Sequence, residues 1–195
     1  MRQQAISLLA VSATLILCLV LPACSTTPMS EATKAQKQAD VRDMASKAIA
    51  DINDASPDAA HAAKSGAGYA VFSNFGFKIL FMGSSNGEGL AVNNATHEQT
   101  YMKMIELQPG LGLGASTFRV LFVFDTPQAF DDFVNSGWQG GANAMAAAKS
   151  STEGGAAAGA VTVSPGVTMY QITDKGAIVG VSITGAKFYK DSDLN

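Results

Sequence analysis

An apolar run near the start of the chain, residues 5–21, closes with Leu21-Pro22-Ala23-Cys24 and constrains everything after it. Arg2 precedes the run, and a small residue stands directly before the cysteine. This order of features is typical of a secretory signal peptide. The alternative is an uncleaved membrane helix, but the run has about 17 residues and a span needs about 20. We therefore expect residues 1–23 to be removed.

The residues around Cys24 add a covalent modification to this prediction. With Leu21 three positions before the cysteine and Ala23 one before it, the segment resembles the lipobox of bacterial lipoproteins. The resemblance implies that the Cys24 thiol receives a diacylglyceryl group and that the new amino end is acylated after cleavage. Several acyl chains hold a protein firmly on a bilayer, at roughly 0.8 kcal/mol per buried CH₂. We expect a lipid-anchored protein of the bacterial envelope, at an outer membrane facing the periplasm or the surface.

The expected mature chain is long enough for one domain and carries few reactive groups. Removal of residues 1–23 leaves 172 residues with 12 basic and 16 acidic side chains, a net charge of −4. That charge argues against a nucleic-acid partner. Cys18 is lost with the signal and Cys24 takes the lipid, so no thiol remains for a disulfide or a metal site. Residues 24–30 are expected to form a tether, and residues 31–195 a domain that packing alone stabilises.

Three helices are predicted from capping signals and apolar spacing. Ser30 precedes a helix over residues 30–54, whose apolar stripe we expect to pack on its own domain; membrane contact is the alternative. Ser56-Pro57-Asp58 starts a short helix that ends before Gly66, and Thr126-Pro127 starts a third over residues 126–137.

From Gly68 onward the apolar spacing changes to that of strands. Alternation predicts strands at residues 69–72, 78–82, 88–92, 101–105 and 118–124, the last one central and covered on both faces. Asn86-Gly87 and residues 93–96 are predicted turns. Residues 167–172 and 177–183 are predicted to form a hairpin about 174–176, and residues 187–195 a polar tail from which Phe188 and Tyr189 pack back on the domain. The Gly- and Ala-rich stretch is expected to be packed at 141–148 and mobile at 149–159.

These elements predict an α+β fold: a bent, mostly antiparallel sheet, partly barrel-like, covered by two or three helices. Glycines at 110, 112, 114, 180 and 185 would permit the bending.

The sequence lacks the residue patterns of an active site. Residues 110–114 faintly match a dinucleotide-binding loop, but that loop must open a helix and here a strand follows. His61 and His97 fall in helix-surface and turn contexts, which does not favour a metal site. We expect no catalysis, no metal and no cofactor.

From about Ala62 to its end, the chain resembles the SYLF family, also called Ysc84-like. The segments that carry the resemblance are glycine-rich and keep the family's order and spacing: Ala63-Lys64 with Gly68–Phe72, Gly76-Phe77 with Gly87–Gly89, Pro109–Gly114, Ala129–Phe133 before Gly140–Ala142, and Lys175-Gly176 leading to Gly180–Ser182 and Gly185. The resemblance implies lipid binding, which in eukaryotic members concerns phosphoinositides and in some also actin. The acidic charge and the expected envelope location favour lipid binding in the general sense only.

The functional expectation is therefore non-catalytic binding of a phospholipid or acyl chain, in an apolar slot lined by Phe, Met, Gly and Ala. Candidate headgroup contacts are Lys78, Lys103 and Arg119, which stand on strands among apolar neighbours. Surface cations that merely snorkel are the alternative for these three. A structural or adhesion lipoprotein with a protein-binding surface is the alternative function, and it predicts a solid core.

Overall fold

The computed structural model describes residues 29–140, 160–173 and 185–195, without the side chains of residues 75–83, 108–116 and 173. Several expectations lie outside the described residues: the signal, Cys24, the stretch 141–159, and the hairpin about 174–176 with its strand 177–183. Those expectations stay predictions.

Three helices form where the capping signals place them: α1 (Glu31–Ala55), α2 (Pro57–Ser65) and α3 (Pro127–Ser136). At each start a hydroxyl accepts a backbone N–H three residues on, which satisfies a donor that the first helical turn leaves open. The capping residues are Ser30, Ser56 and Thr126. Gly137 ends α3 with a φ of 73°, a conformation that suits glycine. The predicted helices are confirmed.

The described strands form one antiparallel sheet around a long central strand. They are β1 (Gly68–Asn93), β2 (Gln99–Phe124), β3 (Trp138–Gln139), β4 (Ala160–Ser164), β5 (Val167–Thr173) and β6 (Ala186–Lys190). β1 pairs with β2 along nearly its whole length, and on the other side β2 pairs with β6 at residues 102–106 and with β5 at residues 118–124. β4 continues the sheet beyond β5, and β3 beyond β6. The predicted α+β class is confirmed.

The sheet is curled because β1 folds back on itself. A straight strand of 26 residues would measure about 85 Å. Yet the Asn94 N–H donates to the Ala67 carbonyl at 3.0 Å, so the two ends of β1 meet. A register shift between Leu80 and Met82 marks an irregularity within the bend.

Asn86-Gly87, predicted to be a turn, instead lies inside β1, so that prediction is wrong. A Cβ on Gly87 would stand 2.8 Å from the Ser73 carbonyl oxygen. Glycine is required there because the two halves of β1 cross closely, and not because the chain turns at this position.

The two faces of the curled sheet carry two separate cores. The inner face packs against α3 through phenylalanines: Phe72, Phe118, Phe122, Phe124, Phe130, Phe133 and Phe188. The outer face packs against α1 and α2. Val71 and Leu121 of the sheet belong to the same core cluster as four residues of α1: Val41, Ala45, Ala48 and Ile52. The apolar stripe of α1 therefore packs on its own domain, as expected.

The structure corrects a further prediction at the end of the chain. Residues 186–190 form β6, which includes the first four residues of the predicted polar tail. Phe188 packs into the inner core as predicted, at 1% exposure, whereas Tyr189 is 36% exposed. Beyond it, the Tyr101 N–H donates to the Asn195 Oδ1 at 3.0 Å, while the Asn195 amide donates to the Tyr101 carbonyl at 2.8 Å. The tail is part of the fold because its alternating residues extend the sheet.

Candidate functional site

In the described part of the chain, apolar side chains stand in solvent on the outer face where β2 meets β6. Leu107 is 60% exposed, Ile105 38% and Tyr189 36%. Lys187 lies opposite Ile105 in the register, and its Nζ stands 5.7 Å from the centre of the Tyr189 ring. Ile105, Leu107, Tyr189 and Lys187 are called the outer patch below.

A cleft of about 550 Å³ opens beside the outer patch, between the two halves of β1. It is called the β1 cleft below, and its lining is Met44, Ser73, Asn74, Asn86, Gly87, Glu88, Lys103, Met104, Thr117 and Tyr189. Because the lining mixes methionine, amide, hydroxyl and charged groups, the cleft suits a ligand with both a polar and an apolar part.

A buried polar chain runs beneath the β1 cleft. The Asn74 Nδ2 donates to the Ser85 Oγ at 2.8 Å, and the Ser85 hydroxyl donates to the Glu106 Oε2 at 3.0 Å. All three residues are at most 5% exposed. These side chains sit on the inner face, where the phenylalanine core gives way to polar groups.

Lys103 lies in the wall of the β1 cleft, held by two carboxylates. Its Nζ stands 2.8 Å from the Asp191 Oδ1 and 3.4 Å from the Asp193 Oδ2. Partial burial acts to lower the pKa of Lys103, but hydrogen bonds and attraction from the two aspartates outweigh it and raise the pKa. Lys103 is thus a neutralised cation, and its role as a headgroup contact stays a prediction.

Arg119 lies on the same face, in the lining of a second cavity of about 380 Å³. Its Nη2 stands 2.8 Å from the Asp51 Oδ2 of α1. Met44 and Ser73 line both cavities, so Arg119 and Lys103 flank that shared wall. Lys78 pairs with Gly114 in the strand register, but its side chain and Cys24 lie outside the described residues.

The inner core is filled by the residues that were expected to line a slot. Phe188 lies 4.8 Å, centre to centre, from both Phe72 and Phe122, and Phe133 lies 4.9 Å from Phe122. Phe72, Phe122 and Phe188 are at most 1% exposed. Aromatic rings at such distances are close-packed, so an acyl chain does not pass between these four rings; the expectation of an acyl slot elsewhere in the module stays a prediction.

Within residues 29–140, 160–173 and 185–195, no cluster of three His, Cys, Asp or Glu side chains could hold a metal ion. In the same part of the chain, none of the helices has the length and apolarity to span a membrane.

The outer patch and the polar chain were both missed by the sequence predictions. Alternation in Ala186-Lys187-Phe188-Tyr189 was a usable signal, since it predicts a strand with one exposed aromatic side. The polar chain had no such signal, because its members are 11 and 21 residues apart along the chain.

Part of this chain matches a known protein family. Residues 106–195 match the family model Ysc84, described as "Las17-binding protein actin regulator". The matched part holds most of the outer patch.

A curated relative is "Beta cell expansion factor A" of Aeromonas veronii. The two proteins are 34% identical over 128 residues, which cover 65% of this chain and 47% of the relative. This chain thus matches about half the length of that relative. Together the two matches confirm the resemblance of this chain to the Ysc84-like (SYLF) family, whose model covers residues 106–195.

Proposed function

We propose that this protein is an envelope-anchored lipoprotein whose folded module binds phospholipid without converting it. The single observation that carries the lipid-binding part is the outer patch. Acylation of Cys24 would hold the module at the membrane, on the outer membrane facing the periplasm or the surface. Since the inner core is filled, phospholipid contact is assigned to the surface of the sheet.

The outer patch suits a bilayer surface by its composition. Leu107 and Ile105 offer aliphatic area, and Tyr189 has an apolar ring with a polar tip, the type that concentrates at membrane interfaces. Lys187 stands beside the Tyr189 ring, and a lysine near an anionic leaflet contributes about 1 kcal/mol. The net negative charge of the whole module therefore does not exclude this local contact.

Vesicle co-sedimentation tests this mode. The chain from Ser25 onward keeps every contact described above, and it should sediment with vesicles of phosphatidylglycerol and phosphatidylethanolamine. Leu107→Ser should weaken binding about tenfold, because burying a leucine side chain contributes roughly 1.5–3 kcal/mol. Leu107→Met is the matched control and should bind like the parent.

Two results would contradict the proposal: no sedimentation of the parent chain, or equal sedimentation of Leu107→Ser. For the anchor, mass spectrometry of the mature amino terminus should give a triacylated Cys24. An intact Met1 would refute the anchor while leaving the vesicle result unaffected.

The filled inner core favours a second function, a structural or adhesion module that binds a protein through the same patch. The family description names protein binding, of Las17, for its members. A photo-reactive residue at position 107 in intact cells distinguishes the two. Crosslinks to lipid favour the first function, and one discrete protein adduct favours the second.

A further inference from the structure

The lining of the β1 cleft includes Asn74, a buried residue with an acceptor that no described residue satisfies. Asn74 is 3% exposed, and its Oδ1 accepts no hydrogen bond from the described residues. The orientation of the amide is fixed by the polar chain: Glu106 accepts from Ser85, so Ser85 accepts from the Asn74 Nδ2. The carbonyl oxygen of Asn74 is therefore the group left over. Buried acceptors without a partner are uncommon because they lose their bonds to water.

The electrostatics around this acceptor favour a positive ligand. Glu88 lines the cleft, and in the described part of the chain it makes no ion pair. Lys103 also lines it, but Asp191 and Asp193 already neutralise that ammonium. The remaining charge is negative, so a phosphate or carboxylate would be repelled and a cation attracted.

We propose that the β1 cleft binds a primary ammonium group, which donates N–H bonds to the Asn74 Oδ1 and faces the Glu88 carboxylate. A quaternary ammonium has the same charge but no N–H, so it would leave the Asn74 oxygen unmet. Met44, Met104 and Tyr189 in the lining provide apolar contact for the carbon chain of the ligand.

Two sources can present this chemistry: the headgroup of an amine-bearing phospholipid or a free organic amine. The lipid source rests on the proposed function, whereas the ammonium site itself does not. A cleft of about 550 Å³ admits either one.

Ethanolamine and choline are the matched probes, because they differ in methyl groups and in donors. Titration of the chain from Ser25, followed through the NMR signals of the Asn74 side-chain amide, should give at least tenfold weaker binding for choline. That factor is expected for loss of a charge-assisted hydrogen bond to a buried acceptor. Equal affinities, or no response to ethanolamine because water alone occupies the site, would overturn the proposal.

Three variants locate the site. Glu88→Gln should weaken ethanolamine binding up to about fivefold, the range for an exposed ion pair. Glu98→Gln, an exposed acidic residue beyond the cleft at the start of β2, is the matched control and should change nothing. Asn74→Leu should abolish the preference for ethanolamine over choline. If Asn74→Leu fails to fold, Glu88→Gln still decides, and an unchanged affinity there contradicts the site.

Vesicles separate the two sources. Tighter sedimentation with phosphatidylethanolamine than with phosphatidylcholine, reduced by Glu88→Gln, assigns the site to a lipid headgroup. Ethanolamine binding without any vesicle binding supports the site for free amines and refutes the proposed function. Vesicle binding that depends on Leu107, without a response to ethanolamine, refutes the site and leaves the proposed function standing.

Discussion

Residues 118–124 and 103–107 are two stretches of β2 that both pair with β1. They differ in whether helices cover their outer face. At 118–124 both faces are buried: Phe122 points into the aromatic core, and Leu121 meets α1 and α2. At 103–107 the inner Met104 is buried while Ile105 and Leu107 stand in solvent. Apolar residues of β2 therefore have two roles: at residues 118–124 they stabilise the fold, and at residues 103–107 they form an exposed surface.

Replacement of one ring should produce the largest effect. Phe122→Ala removes a side chain that contacts Phe72, Phe133 and Phe188, and we expect a loss of about 3–5 kcal/mol in the free energy of unfolding. Leu107→Ala should change that free energy by no more than about 0.5 kcal/mol. Urea denaturation measures both. A comparable loss in the two variants would break the distinction between the stretches.

The close crossing of β1 should give an intermediate effect. A Cβ on Gly89 would stand 2.1 Å from the Phe72 Cδ1, in a ring that cannot move because it is packed on all sides. We expect Gly89→Ala to destabilise the fold by about 1–3 kcal/mol.

The double variant Gly89→Ala with Phe72→Leu is the control for that explanation. It should lose less stability than the sum of the single variants, since the smaller side chain gives the new methyl group room. Strict additivity in urea denaturation would show that the clash is not with Phe72.

The smallest predicted effect is a loss of stability at alkaline pH, and it arises beside the covered stretch, residues 118–124 of β2. Burial raises the pKa of Tyr69, which pairs with Val123, because the tyrosinate is poorly solvated there. The unfolded tyrosine ionises near pH 10, so the native state holds the proton more tightly and stability falls as pH rises above about 10.

Tyr69→Phe should reduce this alkaline loss, and Tyr189→Phe on the outer patch is the matched control. Lys103 contributes in the same direction, because its raised pKa means that its ion pairs are lost as pH rises through the folded value. Denaturation midpoints from pH 8 to 11 measure the slope. An unchanged slope in Tyr69→Phe would contradict the assignment.

Local chemistry made the helices and the covered strand predictable. Ser30, Ser56 and Thr126 cap their helices by contacts within three residues, so each signal lies inside the segment that it controls. The candidate site was harder to predict from the sequence. Lys103 and Arg119 were correctly placed on a strand, but the carboxylates that neutralise Lys103 follow it by 88 and 90 residues.

The glycines show the limit of pattern reading most clearly. Asn86-Gly87 carries the chemistry of a tight turn, yet Gly87 lies within β1 and accommodates the backbone of Ser73. β4 was also missed, although Pro165-Gly166 marks the turn that joins it to β5.

The sequence by itself determined the three helices, the acidic charge and the resemblance to the family, because caps, apolar spacing and composition can be read over short distances along the chain. Only the tertiary structure decided which apolar residues fill the core and which form the outer patch. It also decided that Asn74, Ser85 and Glu106 meet beneath the β1 cleft. The physical reason is the fold-back of β1, which sets burial and hydrogen bonding through contacts between residues far apart in the chain.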